Sequence, residues 1–220
     1  MPRDAVEIET GRAPRAAIIW LHGLGADGHD FEPIVPELVQ PSERALRFVF
    51  PHAPMRPVTL NGGYVMRAWY DIVAIDRRAA EDESGIRASQ EQITELIGRE
   101  NARGIPTERI VLAGFSQGGA MALYSGTRYP ERLAGIMGLS CYQLLAGRFA
   151  AERDPANQAT PIFLAHGTQD PVVLPMLGEA ACRQLQAAGY TVEWHTYSMP
   201  HSLCPQEVAD IAAWLRRVLP

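Results

Sequence analysis

Ile110-Val111-Leu112-Ala113-Gly114-Phe115-Ser116-Gln117-Gly118-Gly119-Ala120 is an apolar run that passes into a glycine-bracketed serine and then into a helix-forming stretch. Four consecutive β-compatible apolar residues predict a buried strand over 110–113, and 117–129 predicts a helix stopped by Pro130. The intervening Gly114-Phe115-Ser116-Gln117-Gly118 is a G-x-S-x-G pattern. A strand–turn–helix setting is what makes that pattern a nucleophile elbow, a crowded turn that projects the serine hydroxyl from the end of a sheet. Glycines are needed because the new helix must pass close to the strand it has just left. An N-capping serine at a glycine-rich helix start is the plainer alternative.

Outward from this segment, apolar runs alternate with helical ones. Residues 16–21, 46–50, 133–139, 162–165 and 191–197 read as further strands, and 85–102, 177–187 and 206–218 as helices. Most of the strands lack polar alternation, which suits a mostly parallel central sheet with helices on both faces. No linker or repeat interrupts the pattern, so a single α/β domain over 3–219 is expected. Two segments stand outside it: 51–78, with the turn signal Asn61-Gly62-Gly63, and the long connection 141–160.

A serine hydroxyl becomes nucleophilic when a base takes its proton, and the base needs a carboxylate to orient it. On such a scaffold the chain order is serine, acid, histidine. Three histidines follow Ser116: His166, His195 and His201. His166 precedes the acid candidate and His195 falls inside a strand, so both are expected to be structural. His201, in the loop before the last helix, is the expected base. Asp170, in His166-Gly167-Thr168-Gln169-Asp170-Pro171, follows the fifth strand and is the expected acid, with a turn-forming aspartate as the alternative. The oxyanion formed on acyl attack needs two donors; the backbone N–H groups of Gln117 and of Leu24, in His22-Gly23-Leu24-Gly25, are the expected pair.

Other readings are weaker. Gly23-Leu24-Gly25-Ala26-Asp27-Gly28 also fits G-x-G-x-x-G, but a dinucleotide site calls for an acidic residue after the next strand, where Pro51-His52 stands. Pro33 and Pro36 also spoil the crossover helix. No ligand set completes a metal site around His22, Asp27, His29 and Asp30. All 20 basic residues are Arg; without Lys, Schiff-base chemistry and a Walker-type phosphate loop are excluded. A net charge of −5 and the lack of a basic block argue against nucleic acid. Three cysteines without a CxxC pair, an N-terminus unlike a signal peptide and the absence of a long apolar run predict a cytoplasmic chain without membrane insertion.

The motifs together resemble the carboxylesterase and acyl-protein thioesterase (lysophospholipase-like) family of small α/β-hydrolases. The marks, in order, are His22-Gly23-Leu24-Gly25-Ala26-Asp27-Gly28, Arg67-Ala68-Trp69-Tyr70-Asp71-Ile72, Gly114-Phe115-Ser116-Gln117-Gly118-Gly119, His166-Gly167 with Asp170-Pro171-Val172-Val173, and Met199-Pro200-His201-Ser202. The resemblance implies an α/β-hydrolase fold with no large cap domain and a hydrolase of carboxylic esters or thioesters using Ser116, Asp170 and His201. It implies no cofactor and no metal, and matches Leu24 and Gln117 to the oxyanion positions. Trp69, Tyr70, Leu174 and Leu177 are expected, with Leu24, to line an apolar acyl groove, with core packing as the other reading of Trp69 and Tyr70. Short-to-medium acyl esters lead; acyl-protein thioesters and lysophospholipids follow. Two departures, Leu174 before Pro175 and Pro200 for a common Gly, flank the expected acid and base. The partner expected is a small-molecule ester or thioester, and the chain a monomer or homodimer. A silent binding protein on the same scaffold is the remaining alternative.

Overall fold

The computed structural model describes residues 5–39, 45–73 and 81–219. The Arg3 start of the expected domain and the end of the 51–78 segment lie outside these. The strands and helices of 10 or more residues come as β1 (Ala5–Glu9), β2 (Ala16–Leu21), β3 (Leu46–Pro51), β4 (Met55–Val58), β5 (Tyr64–Arg67), α1 (Glu83–Ala102), β6 (Ile110–Phe115), α2 (Gln117–Gly126), β7 (Gly135–Leu139), β8 (Ile162–Gly167), α3 (Pro175–Ala187), β9 (Val192–Tyr197) and α4 (Pro205–Val218). Among the described residues β1-β3-β2-β6-β7-β8-β9 form a seven-stranded sheet, parallel except for β1 against β3.

Side-chain alternation divides each central strand between two cores. Ala17, Ile19 and Leu21 of β2 join Ile110 and Leu112 of β6 on the side covered by α1, α2 and α3. Ala16, Ile18 and Trp20 join Val111 and Ala113 on the side where Val208, Ile211, Trp214 and Leu215 of α4 pack. Both faces are dry, so the strands carry no polar alternation, and the parallel sheet with two helical layers matches the expectation. Burying a Leu- or Ile-sized side chain this way is worth about 2 kcal/mol each.

Several details differ from the sequence reading. The helix expected over 117–129 ends at Gly126, where the Thr127 hydroxyl donates to Leu123 O (2.7 Å). Strand β1 was not expected; its Glu7 bonds Arg99 (2.7 Å) and Arg103 (2.8 Å) of α1, while Val6 and Ile8 pack on the sheet. The strand at 133–139 is shorter, because the Leu133 N–H donates to the Asn157 side chain (2.9 Å). The connection 141–160 is broken into helical turns at 146–148, 149–152 and 155–157, pinned by buried Phe149 and by Glu152 between Arg87 and Arg128. The Asn61-Gly62-Gly63 signal does turn a hairpin, β4–β5, with Gly62 and Gly63 at positive φ.

Candidate active site

The chain leaves β2 toward β3 on one side and leaves β6 toward β7 on the other. Their neighbouring carboxyl ends are therefore a topological switch point, the place where open α/β sheets as a rule form their ligand site. The His22-Gly23-Leu24-Gly25 loop follows β2 and Ser116 follows β6.

Ser116 takes φ 54° and ψ −120°, a conformation that L-residues avoid. It is held there by its neighbours: its N–H donates to Leu139 O (2.8 Å) and its carbonyl accepts from Ala120 N–H (3.0 Å). A Cβ on Gly118 would overlap the Leu21 and His22 carbonyls, and one on Gly114 would overlap the Gly118 backbone. Those glycines let α2 approach β6 and β2 closely enough to force the turn.

The Ser116 hydroxyl lies 3.0 Å from His201 Nε2, and His201 Nδ1 lies 2.7 Å from Asp170 Oδ2. The Asp170 carboxylate is fully buried and its other oxygen accepts from Val172 N–H (2.8 Å) and Val173 N–H (2.9 Å). Since the carboxylate accepts, Nδ1 carries the hydrogen and Nε2 presents its lone pair to the serine. Phe115 packs against the His201 ring, with centroids 4.7 Å apart. Residues 116, 170 and 201, distant in the chain, thus share one hydrogen-bonded line able to take a proton from a hydroxyl.

His22 shapes the glycine loop. Its Nε2 accepts from Ala53 N–H (3.0 Å), so Nδ1 donates to Gly23 O (2.7 Å). Burial pushes its pKa down to about 4, against the Gly23 carbonyl and Asp27, which favour the cation. An unfolded chain takes up this proton near pH 6.5, the folded one only near 4. The contribution is complete above about 6.5 and is lost as pH falls toward 4, on the order of 3 kcal/mol over that window. Melting curves recorded across it should fall more steeply for the natural chain than for His22→Gln; parallel slopes would remove His22 from the account.

In the same loop, Gly25 N–H donates to Arg67 O (2.9 Å) and Ala26 N–H to Gly23 O (3.3 Å). Gln117 opens α2, where no earlier turn can accept its N–H. Its buried side chain spans to the next segment, accepting from Trp69 N–H (2.9 Å) and donating to Tyr70 O (2.8 Å). Sequence reasoning missed this clamp; the sequence shows only a glutamine beside the serine, and its side-chain partners lie 47 or 48 residues away.

Trp69 and Tyr70, expected at the groove, are only 1% and 3% exposed. The Trp69 indole donates to His22 O (2.9 Å) and the Tyr70 hydroxyl bonds that of Tyr142 (2.7 Å), so both brace the site's floor. Leu24 and Leu177 are half-buried, whereas Leu174 is exposed in line with Val172 and Met176. Pro175 begins α3, so the extra residue at Leu174 ends the acid loop and Pro175 supplies the helix's first turn. His195 lies apart from the site, stacked on Phe163 and paired with Glu193 at 2.9 Å. After Gly25 the chain turns and first coils into helical turns at 32–38, which gives the dinucleotide reading no helix to hold a pyrophosphate. Among the described residues no group of three His, Cys, Asp or Glu could hold a metal ion, and no helix is long and apolar enough to cross a membrane.

The family model described as phospholipase/carboxylesterase matches residues 3–219. Acyl-protein thioesterase 1 of Mycosarcoma maydis is 41% identical over 96% of this chain and 94% of its own length. That of Neurospora crassa is 44% identical over 93% and 87%. Among solved structures, SOBER1 of Arabidopsis thaliana superposes with a TM-score of 0.86 at 35% identity, covering 94% of this chain and 100% of that one. Acyl-protein thioesterase 2 of Zea mays gives 0.86 at 29% identity, covering 99% and 100%.

Proposed function

Since the chain belongs to the phospholipase/carboxylesterase family of α/β-hydrolases, we propose that it cleaves carboxylic esters and thioesters with apolar acyl chains through an acyl-enzyme on Ser116. The observation that carries the residue assignment is the line Ser116–His201–Asp170, with contacts of 3.0 and 2.7 Å. His201 Nε2 takes the hydroxyl proton as Oγ attacks the acyl carbon, and Asp170 stabilises the imidazolium. The oxyanion is met by the Gln117 and Leu24 N–H groups; one such donor is worth about 3 kcal/mol. His201 then protonates the departing alcohol or thiol, and water, activated by the same imidazole, frees the acid and restores the serine. Residues 3–219 act as one domain, with neither cofactor nor metal in the reaction.

Exposed Val172, Leu174 and Met176, along the chain from the acid, supply apolar contact for an acyl chain. Short-to-medium acyl esters fit this open edge. A second reading, acyl-protein thioesters, is favoured by the two thioesterase relatives above 40% identity.

A fluorophosphonate should label Ser116 stoichiometrically, and an activated ester should give a burst equal to the enzyme concentration. Comparing kcat/KM for p-nitrophenyl esters, an acyl thioester and a lysophospholipid ranks the substrates. Absence of both label and burst would leave a binding protein on a hydrolase scaffold.

A further inference from the structure

We propose that His166 is a positioning residue for the acid: it closes the 167–173 loop around Asp170 and, as a neutral imidazole, leaves the carboxylate's charge to His201. The proposal rests on the serine-hydrolase reading above. His166 is the next-to-last residue of β8 and is 1% exposed. Its Nε2 lies 2.8 Å from Val173 O, which can only accept, so the hydrogen is on Nε2. The same nitrogen is 3.4 Å from Asp170 Oδ2. Val173 is consequently held at both ends of its peptide units: its N–H by the Asp170 carboxylate and its C=O by His166. That pair of contacts fixes the loop whose Val172 and Val173 N–H groups aim Oδ1, and so turns Oδ2 toward His201.

The other ring nitrogen explains why the imidazole stays neutral. Nδ1 is buried without a hydrogen-bond partner among the described residues. It faces Gly178 of α3, where a Cβ would overlap it, and shares a small cavity with Cys141 of the loop after β7, Leu164 of β8 and Trp194 of β9. A proton on Nδ1 would bury a cation with an unmet N–H in that enclosure. Burial lowers the His166 pKa; the Val173 carbonyl, Asp170 and Glu179 of α3 oppose this, and His201 reinforces it. A charged His166 would divide the Asp170 carboxylate between two cations, and the imidazolium that forms at 201 during attack would be stabilised less.

Steady-state kinetics on His166→Leu and His166→Gln test the idea. The leucine variant, which keeps bulk but no donor, should lose about 10- to 100-fold in kcat, the usual cost of a misplaced catalytic group. KM should change little, and the acid limb of kcat/KM should move to lower pH by about half a unit because the imidazolium is less well supported. Glutamine can place an amide N–H near the Nε2 position and should recover most of kcat and the original pH profile. A folded leucine variant with natural kcat and acid limb, changed only in melting temperature, would overturn the proposal and leave His166 as packing. Imidazole 15N spectra of the intact chain decide independently of folding in the variants. A Nε2–H tautomer that titrates below an ordinary imidazole is expected; an Nδ1–H tautomer, or titration at or above the ordinary value of about 6.5, overturns it. The spectra require no turnover, so they separate failure of this proposal from failure of the serine-hydrolase reading, which the Ser116 label and burst test.

Discussion

Ser116→Ala should lower turnover of an activated ester by roughly a million-fold, with the fold intact. The size follows from what one atom does. Oγ is the only Ser116 atom that reaches His201, and without it the imidazole and the carboxylate have no nucleophile to activate. Residual hydrolysis would come from the oxyanion donors and from substrate binding alone. Stability should hardly change, because the backbone bonds to Leu139 and Ala120 keep the turn, and alanine meets the same φ 54° restriction as serine. Circular dichroism and a melt beside the kinetics would check both parts. A well-folded alanine variant retaining more than about a hundredth of the natural rate would defeat the nucleophile assignment.

Asp170→Asn should cost about 10,000-fold in kcat near neutral pH. Here the loop decides the outcome. Oδ1 accepts from the Val172 and Val173 N–H groups, so the asparagine carbonyl oxygen must occupy that position. Its amide nitrogen then replaces Oδ2 and presents a donor to His201 Nδ1, where the carboxylate presented an acceptor. The imidazole answers by placing its hydrogen on Nε2, facing Ser116, and can no longer receive the serine proton. The variant should fold and still bind substrate, so the loss should appear in kcat with KM nearly constant. A drop of less than about tenfold would mean that Asp170 orients nothing.

Much of this site could be read from residue order. The elbow announced itself because strand, glycine-bracketed serine and helix are all local features, and Asp170 and His201 because each follows a strand in a loop. The floor of the site was harder. Trp69 and Tyr70 are aromatic and close in sequence to family-like residues, which left their direction open; Gln117 and His22 hold this segment inward through hydrogen bonds spanning 47 or 48 residues. Strand β1 escaped notice because Ala5-Val6-Glu7-Ile8-Glu9 is short and carries two glutamates among its five residues. It becomes a strand by pairing with β3 and by meeting Arg99 and Arg103 from α1; the two arginines lie more than 90 residues away.

Periodicity and glycine placement determined by themselves that this chain makes a parallel sheet wrapped in helices, with a serine on a forced turn, because those signals arise from contacts between near neighbours. The 3.0 Å approach of His201 to that serine, which carboxylate oxygen faces the imidazole, and which apolar residues stay at the surface were decided only when loops after β2, β6, β8 and β9 came together at one sheet edge. Hydrogen-bond geometry and burial are properties of that convergence, and no local stretch of the chain contains them.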